Sequence, residues 1–167
     1  MSTLPDILAA AVASGSLLES ARTHILALLG GTTSAIAPLA VRELVDAGEW
    51  GELNDRFFKT LAFGTGGLRG RTIGRVVTKA EQGAGGPDGR PEHPCTGTAT
   101  MNYYNLSRAV RGLIAYAKYF AGPDRKPRLV FAHDTRHFSR DFAEFCAKVC
   151  ADLGCDAYLF EGPRSTP

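Results

Sequence analysis

The sequence predicts an α/β fold: a layered domain with a largely parallel sheet, preceded by a helical N-terminal arm. Three observations carry this reading. From residue 71 onward the pattern alternates strand, helix, strand, helix, strand, the order that a parallel sheet with crossover helices requires. Two of those segments carry long apolar stripes at helical spacing. Before residue 62 the apolar residues recur with helical period and no strand pattern interrupts them. We therefore divide the chain into an arm, residues 1–62, and a domain, residues 63–167.

The arm reads as helix from residue 4 to about residue 62. Leu17, Leu18, Ala21, Ile25 and Leu28 form one stripe, and Gly30-Gly31 ends that segment. A second segment spans about Ser34 to Ala47, and a third places Trp50, Leu53, Phe57 and Leu61 on one stripe. Within the domain, Ile73, Val76 and Val77 predict a strand over Arg71–Thr78. Residues 82–94 are rich in glycine and proline, which predicts a flexible surface loop, a lid or an inert connection. Leu106, Ala109, Val110, Leu113, Ile114, Ala117 and Phe120 predict an amphipathic helix with Asn105 as its N-cap, stopped at Gly122-Pro123-Asp124. Arg128–Ala132 is a short apolar strand. Ser139 is placed to cap the next helix, whose stripe is Phe142, Phe145, Cys146, Val149, Cys150 and Leu153 and whose end is Gly154. Cys155–Phe160 is the last strand, and Glu161–Pro167 a terminal loop. In such folds ligands bind beyond the C-terminal ends of the strands. That places Asp134–Ser139 and Glu161–Pro167 at the binding edge.

The 167 residues suffice for one well-buried core, with roughly 70% of the unfolded surface removed at this size. Hydrophobic content of 44% and net charge of +2 are those of an ordinary globular chain. The basic residues are dispersed, so no nucleic-acid footprint is expected. No apolar run approaches the ~18 residues of a membrane span, and the N-terminus lacks the charged opening of a secretory signal. Cys95, Cys146, Cys150 and Cys155 lack the spacing of a zinc signature and read as reduced core thiols in a cytoplasmic protein. His24 stands alone and reads as a packed or surface histidine. His133 and His137 straddle a strand-to-helix turn, so no metal site is read from them.

The chemistry-bearing stretch is Phe63–Arg71, Phe-Gly-Thr-Gly-Gly-Leu-Arg-Gly-Arg. Its glycines allow backbone N–H groups to approach an anion closely. Thr65 offers a hydroxyl, while Arg69 and Arg71 offer forked donors that suit phosphate or carboxylate. The alternative is a glycine-rich turn with solvated arginines. No Gly-Lys-Ser/Thr follows, so the stretch is not a P-loop, and Arg69 occupies the third glycine position of a dinucleotide fingerprint.

Phe-Gly-Thr-Gly-Gly-Leu-Arg-Gly closely resembles the opening signature of the phosphohexomutases, the phosphoglucomutase/phosphomannomutase family. Val130–Ser139 is similar to the family's second signature, a strand leading to Gly-x-Asp-x-Arg-x-x-Ser. Asp134, Arg136 and Ser139 match it, and Ala132 stands where glycine is usual. On its own this second piece reads rather as a capped helix start with a surface Asp134–Arg136 ion pair; joined to the first signature, in the expected order and separation, it supports the resemblance. Ser165-Thr166-Pro167 resembles a third family loop. The helical arm resembles, more weakly, an N-terminal extension of larger bacterial members, and the 82–94 connection is longer than the family's usual one.

The resemblance implies a three-layer α/β/α domain I of an isomerase that moves a phosphoryl group on hexose phosphates by way of a phosphoserine. It implies Arg69 as a catalytic residue, and Thr65, Gly66, Arg69, Asp134 and Arg136 as substrate- and phosphate-binding residues. It also implies magnesium and a hexose bisphosphate activator in the complete enzyme, and sugar phosphates as partners. The serine, metal and sugar-selecting loops of the family are not in these 167 residues. The expectation is a truncated or split N-terminal portion, inactive alone and completed by the missing mutase domains in cis or trans. A non-catalytic phosphosugar-binding or assembly module is the alternative.

Overall fold

The structure, a computed structural model, describes residues 2–63, 67–86 and 88–165. They form two compact units, Met1–Asn102 and Tyr103–Pro167.

The first unit is built on helices α1 (Leu4–Ala13), α2 (Glu19–Gly31), α3 (Ile36–Asp46) and α4 (Trp50–Phe57), followed by a short α5 (Lys79–Gln82). Thr3 opens α1 with a reciprocal capping box to Asp6. Gly15, at φ +77°, turns the chain between α1 and α2, so the arm folds as separate short helices. Leu8, Ile25, Leu28, Val41, Leu44, Leu53 and Phe57 are almost wholly removed from water. Each such side chain contributes about 1.5–3 kcal/mol relative to exposure. Helix α4 ends at Phe57, before the predicted stripe reaches Leu61, whose N–H donates instead to the Thr98 carbonyl at 2.6 Å. His24 is packed, its Nδ1 lying 2.7 Å from the Phe57 carbonyl oxygen.

Residues 71–78 do not form the predicted strand. Their backbone groups are taken singly by other partners: Arg71 O by Met101 N and Thr72 O by Cys95 N, each at 2.8 Å. Arg75 N donates to Glu52 Oε1, and Val76 O accepts from Arg56 Nη2. The β-branched residues favour extended chain, but no ladder is left to form. The 82–94 connection is likewise more than a loose surface loop. Glu92 accepts from Ala84 N at 2.8 Å, and Glu92 N and His93 N donate to the carbonyls of Gln82 and Glu81.

The second unit contains α6 (Tyr103–Ala121), β1 (Arg128–Phe131), α7 (Ser139–Asp152) and β2 (Asp156–Leu159). The strands pair in parallel with Arg128 opposite Asp156 and Phe131 opposite Leu159. This is the strand–helix–strand crossover that the sequence predicts. Val110 and Ile114 from α6 meet Cys146, Val149 and Cys150 from α7, and Leu129, Phe131 and Ala157 of the sheet pack against them. The opposite sheet face leaves Val130 and Tyr158 exposed. Leu113 and Phe120, expected in the buried stripe of α6, are also exposed, because α7 covers only a narrow strip of that helix. Asn105 lies buried in the first turn of α6, which begins at Tyr103, so it is not the N-cap. All four cysteines are free and buried, as read from the sequence. Among the described residues, no helix is long and apolar enough to cross a membrane.

Candidate functional site

Two loops carry the residues singled out above. The first follows α4. Thr65 and Gly66 lie outside the described residues. Gly67 has φ +106°, a conformation that glycine tolerates and other residues rarely adopt. Arg69 is exposed and takes part in no hydrogen bond or ion pair among the described residues. Arg71 differs. Its Nη2 donates to Asp55 Oδ2 at 3.1 Å, and its Nη1 lies 3.7 Å from Glu52 Oε2. Its charge is therefore committed to α4, and Arg69 is the arginine of the pair that remains available to an anion.

Gly70 fixes where this loop runs. A Cβ there would sit 2.9 Å from Met101 N and 3.1 Å from the Thr100 carbonyl carbon. Only glycine lets residues 70 and 99–101 come so close.

The second loop leaves β1 at its C-terminal end. Asp134 Oδ1 accepts from Arg136 N at 3.0 Å, closing a tight turn of the kind Asp side chains favour. Asp134 Oδ2 accepts from Arg136 Nε at 2.6 Å and lies 2.6 Å from Arg136 Nη2, a forked ion pair. The Arg136 side-chain bond, its backbone N–H and the Ser139 hydroxyl hold the Asp134 carboxyl down to about 2. Arg136 remains 82% exposed at its side chain. Ser139 is the first residue of α7, not its cap. The N-cap is Phe138, in the left-handed region at φ 65°. The Ser139 hydroxyl accepts from Asp134 N at 3.0 Å, bracing the turn across its base. Phe138 is buried and stacks on Phe142, with ring centroids 5.8 Å apart, which anchors that strained residue.

The loop after β2 meets this turn, as expected for adjacent parallel strands. Arg164 N donates to His133 O at 2.8 Å, and Arg140 Nη1 to Glu161 O at 3.1 Å. Of the terminal Ser-Thr-Pro, Thr166 and Pro167 lie outside the described residues. Asp134 and Arg136 are thus brought together in the second unit, whereas Arg69 belongs to the first.

Sequence reasoning missed a buried ionic cluster in the first unit. Arg56 has no exposure; its Nε lies 2.8 Å from Glu52 Oε1 and its Nη1 2.6 Å from Glu81 Oε1. Burial pushes the guanidinium pKa down, but the surrounding negative groups, Glu81 and Glu52 among them, more than reverse this and hold it above its ordinary value. The signals were present: Glu52 and Arg56 are four apart on a helix, and Thr78-x-x-Glu81 is a capping box.

A parallel strand–helix–strand unit with polar turns at the strand C-termini is the ligand-binding layout of an α/β enzyme domain. Residues 95–167 match the family described as phosphoglucomutase/phosphomannomutase, alpha/beta/alpha domain I. Residues 95–167, less than half of the chain, are thus similar to the N-terminal domain of the phosphohexomutase family. The chain is 32% identical over 108 residues to a phosphoglucomutase of Staphylococcus epidermidis (strain ATCC 12228 / FDA PCI 1200), covering 65% of this chain and 15% of that protein. It is 29% identical over 116 residues to a phosphoglucomutase of Staphylococcus aureus (strain bovine RF122 / ET3-1), covering 70% and 16%. A phosphoglucomutase of Staphylococcus haemolyticus (strain JCSC1435) is 27% identical over 111 residues, covering 66% and 16%. The matched region thus spans about 15% of the length of these relatives. No solved structure matches the chain.

Proposed function

We propose that the chain serves as domain I of a phosphoglucomutase/phosphomannomutase-type enzyme, with residues 1–62 as a helical arm and the mutase part starting at residue 63. The match over residues 95–167 carries this reading, and the Gly-Thr-Gly-Gly-Leu-Arg-Gly run at 64–70 extends it upstream. The domain is of three-layer α/β/α type. The sheet face that exposes Val130 and Tyr158 takes the further helical layer.

In this reading Thr65, Gly66 and Arg69 hold the phosphoryl group that passes between sugar hydroxyls by way of a serine supplied from outside these residues. Arg69 is the catalytic residue: its guanidinium offsets charge on the phosphoryl oxygens as the phosphorus parts from one hydroxyl oxygen and joins another. Asp134 and Arg136, in the second unit, are read as phosphate-binding residues by family resemblance, and Arg136, exposed and forked onto Asp134, keeps donors for a phosphate oxygen. Among the described residues no group of three or more His, Cys, Asp or Glu side chains could hold a metal. The magnesium that the family implies has no such group to hold it among the described residues. A hexose bisphosphate is the activator of the complete enzyme. The free thiols suit a cytoplasmic setting.

Uncatalysed phosphate-monoester hydrolysis is slow enough that enhancements reach about 10²¹, and one arginine loop cannot supply that. The chain alone is inactive in this reading and needs the remaining mutase domains. The test is conversion of glucose 1-phosphate to glucose 6-phosphate. The isolated chain should show none, and the chain joined to the remaining domains should turn over. Turnover by the isolated chain would overturn the inactivity. Failure of the joined protein with hexose and pentose phosphates alike would overturn the family function.

A second reading is a phosphosugar-binding or assembly module that works with a partner chain. The apolar side chains left in solvent favour it: Tyr119, Phe120 and Tyr116 on α6, and Val130 and Tyr158 on the sheet. Turnover separates the two: both readings put glucose 1-phosphate on Arg69, and binding without turnover in the joined protein favours the module.

A further inference from the structure

The connection between Thr72 and Cys95 leaves and re-enters the first unit at neighbouring points. Arg71 O accepts from Met101 N and Thr72 O from Cys95 N, so the two ends form a short stem. That stem begins at Arg71, two residues after Arg69 and next to Gly70, which lies against the backbone of residues 99–101.

Above the stem, three separate segments converge on the Arg56 guanidinium. Helix α4 supplies Glu52. The excursion supplies Glu81 and the Val76 carbonyl. The returning strand of chain supplies the Thr96 carbonyl at 3.4 Å. The carboxylates bind in turn to backbone. Glu81 Oε1 accepts from Thr96 N at 2.7 Å, Glu81 Oε2 from Thr78 N at 3.2 Å, and Glu52 Oε1 from Arg75 N at 3.1 Å. Gly74 is packed so closely on this cluster that a Cβ would lie 2.8 Å from Glu52 Oε1 and 2.8 Å from the Val76 carbonyl oxygen. Glu43 of α3 secures the excursion from the other side, accepting from Lys79 N at 2.6 Å and Ala80 N at 2.9 Å.

Fully buried charges of this kind persist only when paired and hydrogen-bonded. Here each bond of the pairing also fixes a backbone group on one side of the stem or the other.

We propose that the 72–95 excursion is a buttress for the glycine–arginine loop, and that Glu81 and Arg56 are positioning residues for Arg69. The excursion is then neither a lid nor an inert connection. Glu81 reaches back into the helical unit and locks Arg56. Arg56 holds residues 75–76 and 96 together, and the stem so formed sets the direction in which residues 67–71 leave Gly70. Arg71, held on Asp55 and beside Glu52, ties the end of the loop to the same helix. This inference rests on the reading of Arg69 as a phosphate-binding residue only for its functional consequence. The mechanical claim stands on the bonds themselves.

The test uses the 167-residue chain, ¹⁵N-labelled, as wild type, Glu81→Gln and Thr78→Val. Thr78→Val removes the hydroxyl that accepts from Glu81 N without leaving a buried charge unpaired. Two quantities are read: amide exchange at Cys95 and Met101, and backbone order at residues 67–71. Exchange at α2 and α7 amides serves as the control for folding. In Glu81→Gln, exchange at Cys95 and Met101 should accelerate at least about tenfold, the scale of one lost charge-assisted hydrogen bond. Order at 67–71 should fall while α2 and α7 remain protected. Thr78→Val should give the same pattern in weaker form, and it decides the matter if Glu81→Gln does not fold. Unchanged stem exchange and unchanged loop order in a folded variant would overturn the buttress.

Titration with glucose 1-phosphate is then read separately. Weakened binding in Glu81→Gln, with the helices intact, supports positioning and is not what a purely structural role would give. Absence of binding in the wild type would count against the phosphate reading, while the exchange result would still decide the buttress.

Discussion

At the scale of single residues, the Asp134–Arg136 turn makes the sharpest claim. The carboxyl is held down to about 2 by the Arg136 guanidinium, by that residue's N–H and by the Ser139 hydroxyl. A depressed carboxylate adds stability that is fully present above its unfolded value near 3.9 and is lost as pH falls through about 2. A carbon-detected NMR titration should place the Asp134 midpoint near 2. Arg136→Ala should move that midpoint up toward the ordinary carboxylate range, and an unmoved midpoint would dissociate the shift from the ion pair. Burial also pushes the Cys95 thiol up to about 12 and the Cys146 thiol up to about 11. Neither should react with iodoacetamide at pH 8 in the native protein, and both should react in denaturant. Alkylation of the native chain would contradict their burial. The ion pair at 134 and 136 was legible in the sequence because the two residues are neighbours across one turn. The Arg56–Glu81 pair was not, since 25 positions separate the partners and fully buried charges are rare unless paired. Thr78-x-x-Glu81 was visible as a capping box, but nothing local says that its carboxylate faces inward.

At the scale of elements, the apolar stripes of α6 and α7 gave the helices correctly but misjudged how much of α6 is covered. Ile114 is 1% exposed and Leu113 53%. Ile114→Ala should cost about 2–5 kcal/mol, whereas Leu113→Ala should stay within about 0.5 kcal/mol. Native-state exchange of α7 amides measures both, and equal effects would mean that the two faces of α6 are buried alike. The parallel pairing of β1 and β2 was legible from the alternation of strand and helix. The strand expected at 71–78 failed for a physical reason: Ile73, Val76 and Val77 satisfy strand propensity, yet the backbone beside them is bound to Glu52, Arg56, Cys95 and Met101. Propensity does not register such long-range commitments. Gly74→Ala should therefore destabilise the first unit by about 1–3 kcal/mol, the range of overpacked sites, as read from urea denaturation followed through Trp50 fluorescence. A neutral result would mean that the 74–76 turn can move away from Arg56.

At the scale of the whole molecule, the resemblance to the phosphohexomutases was carried by two short signatures, of which the second lies within residues 95–167. The match over residues 95–167 bears out the family for that part of the chain. Arg69→Ala, in the chain joined to its remaining domains, should lower kcat/KM by about 10²–10³, the effect of removing one donor aimed at developing charge. Lysine at that position should recover only part, since an ammonium lacks the fork. The most direct measurement of the central proposal is an amide-shift titration of the ¹⁵N-labelled chain with glucose 1-phosphate. The account predicts saturable shifts centred on Gly67–Arg71 that vanish in Arg69→Ala. Shifts centred elsewhere, or shifts that survive the loss of Arg69, would contradict it.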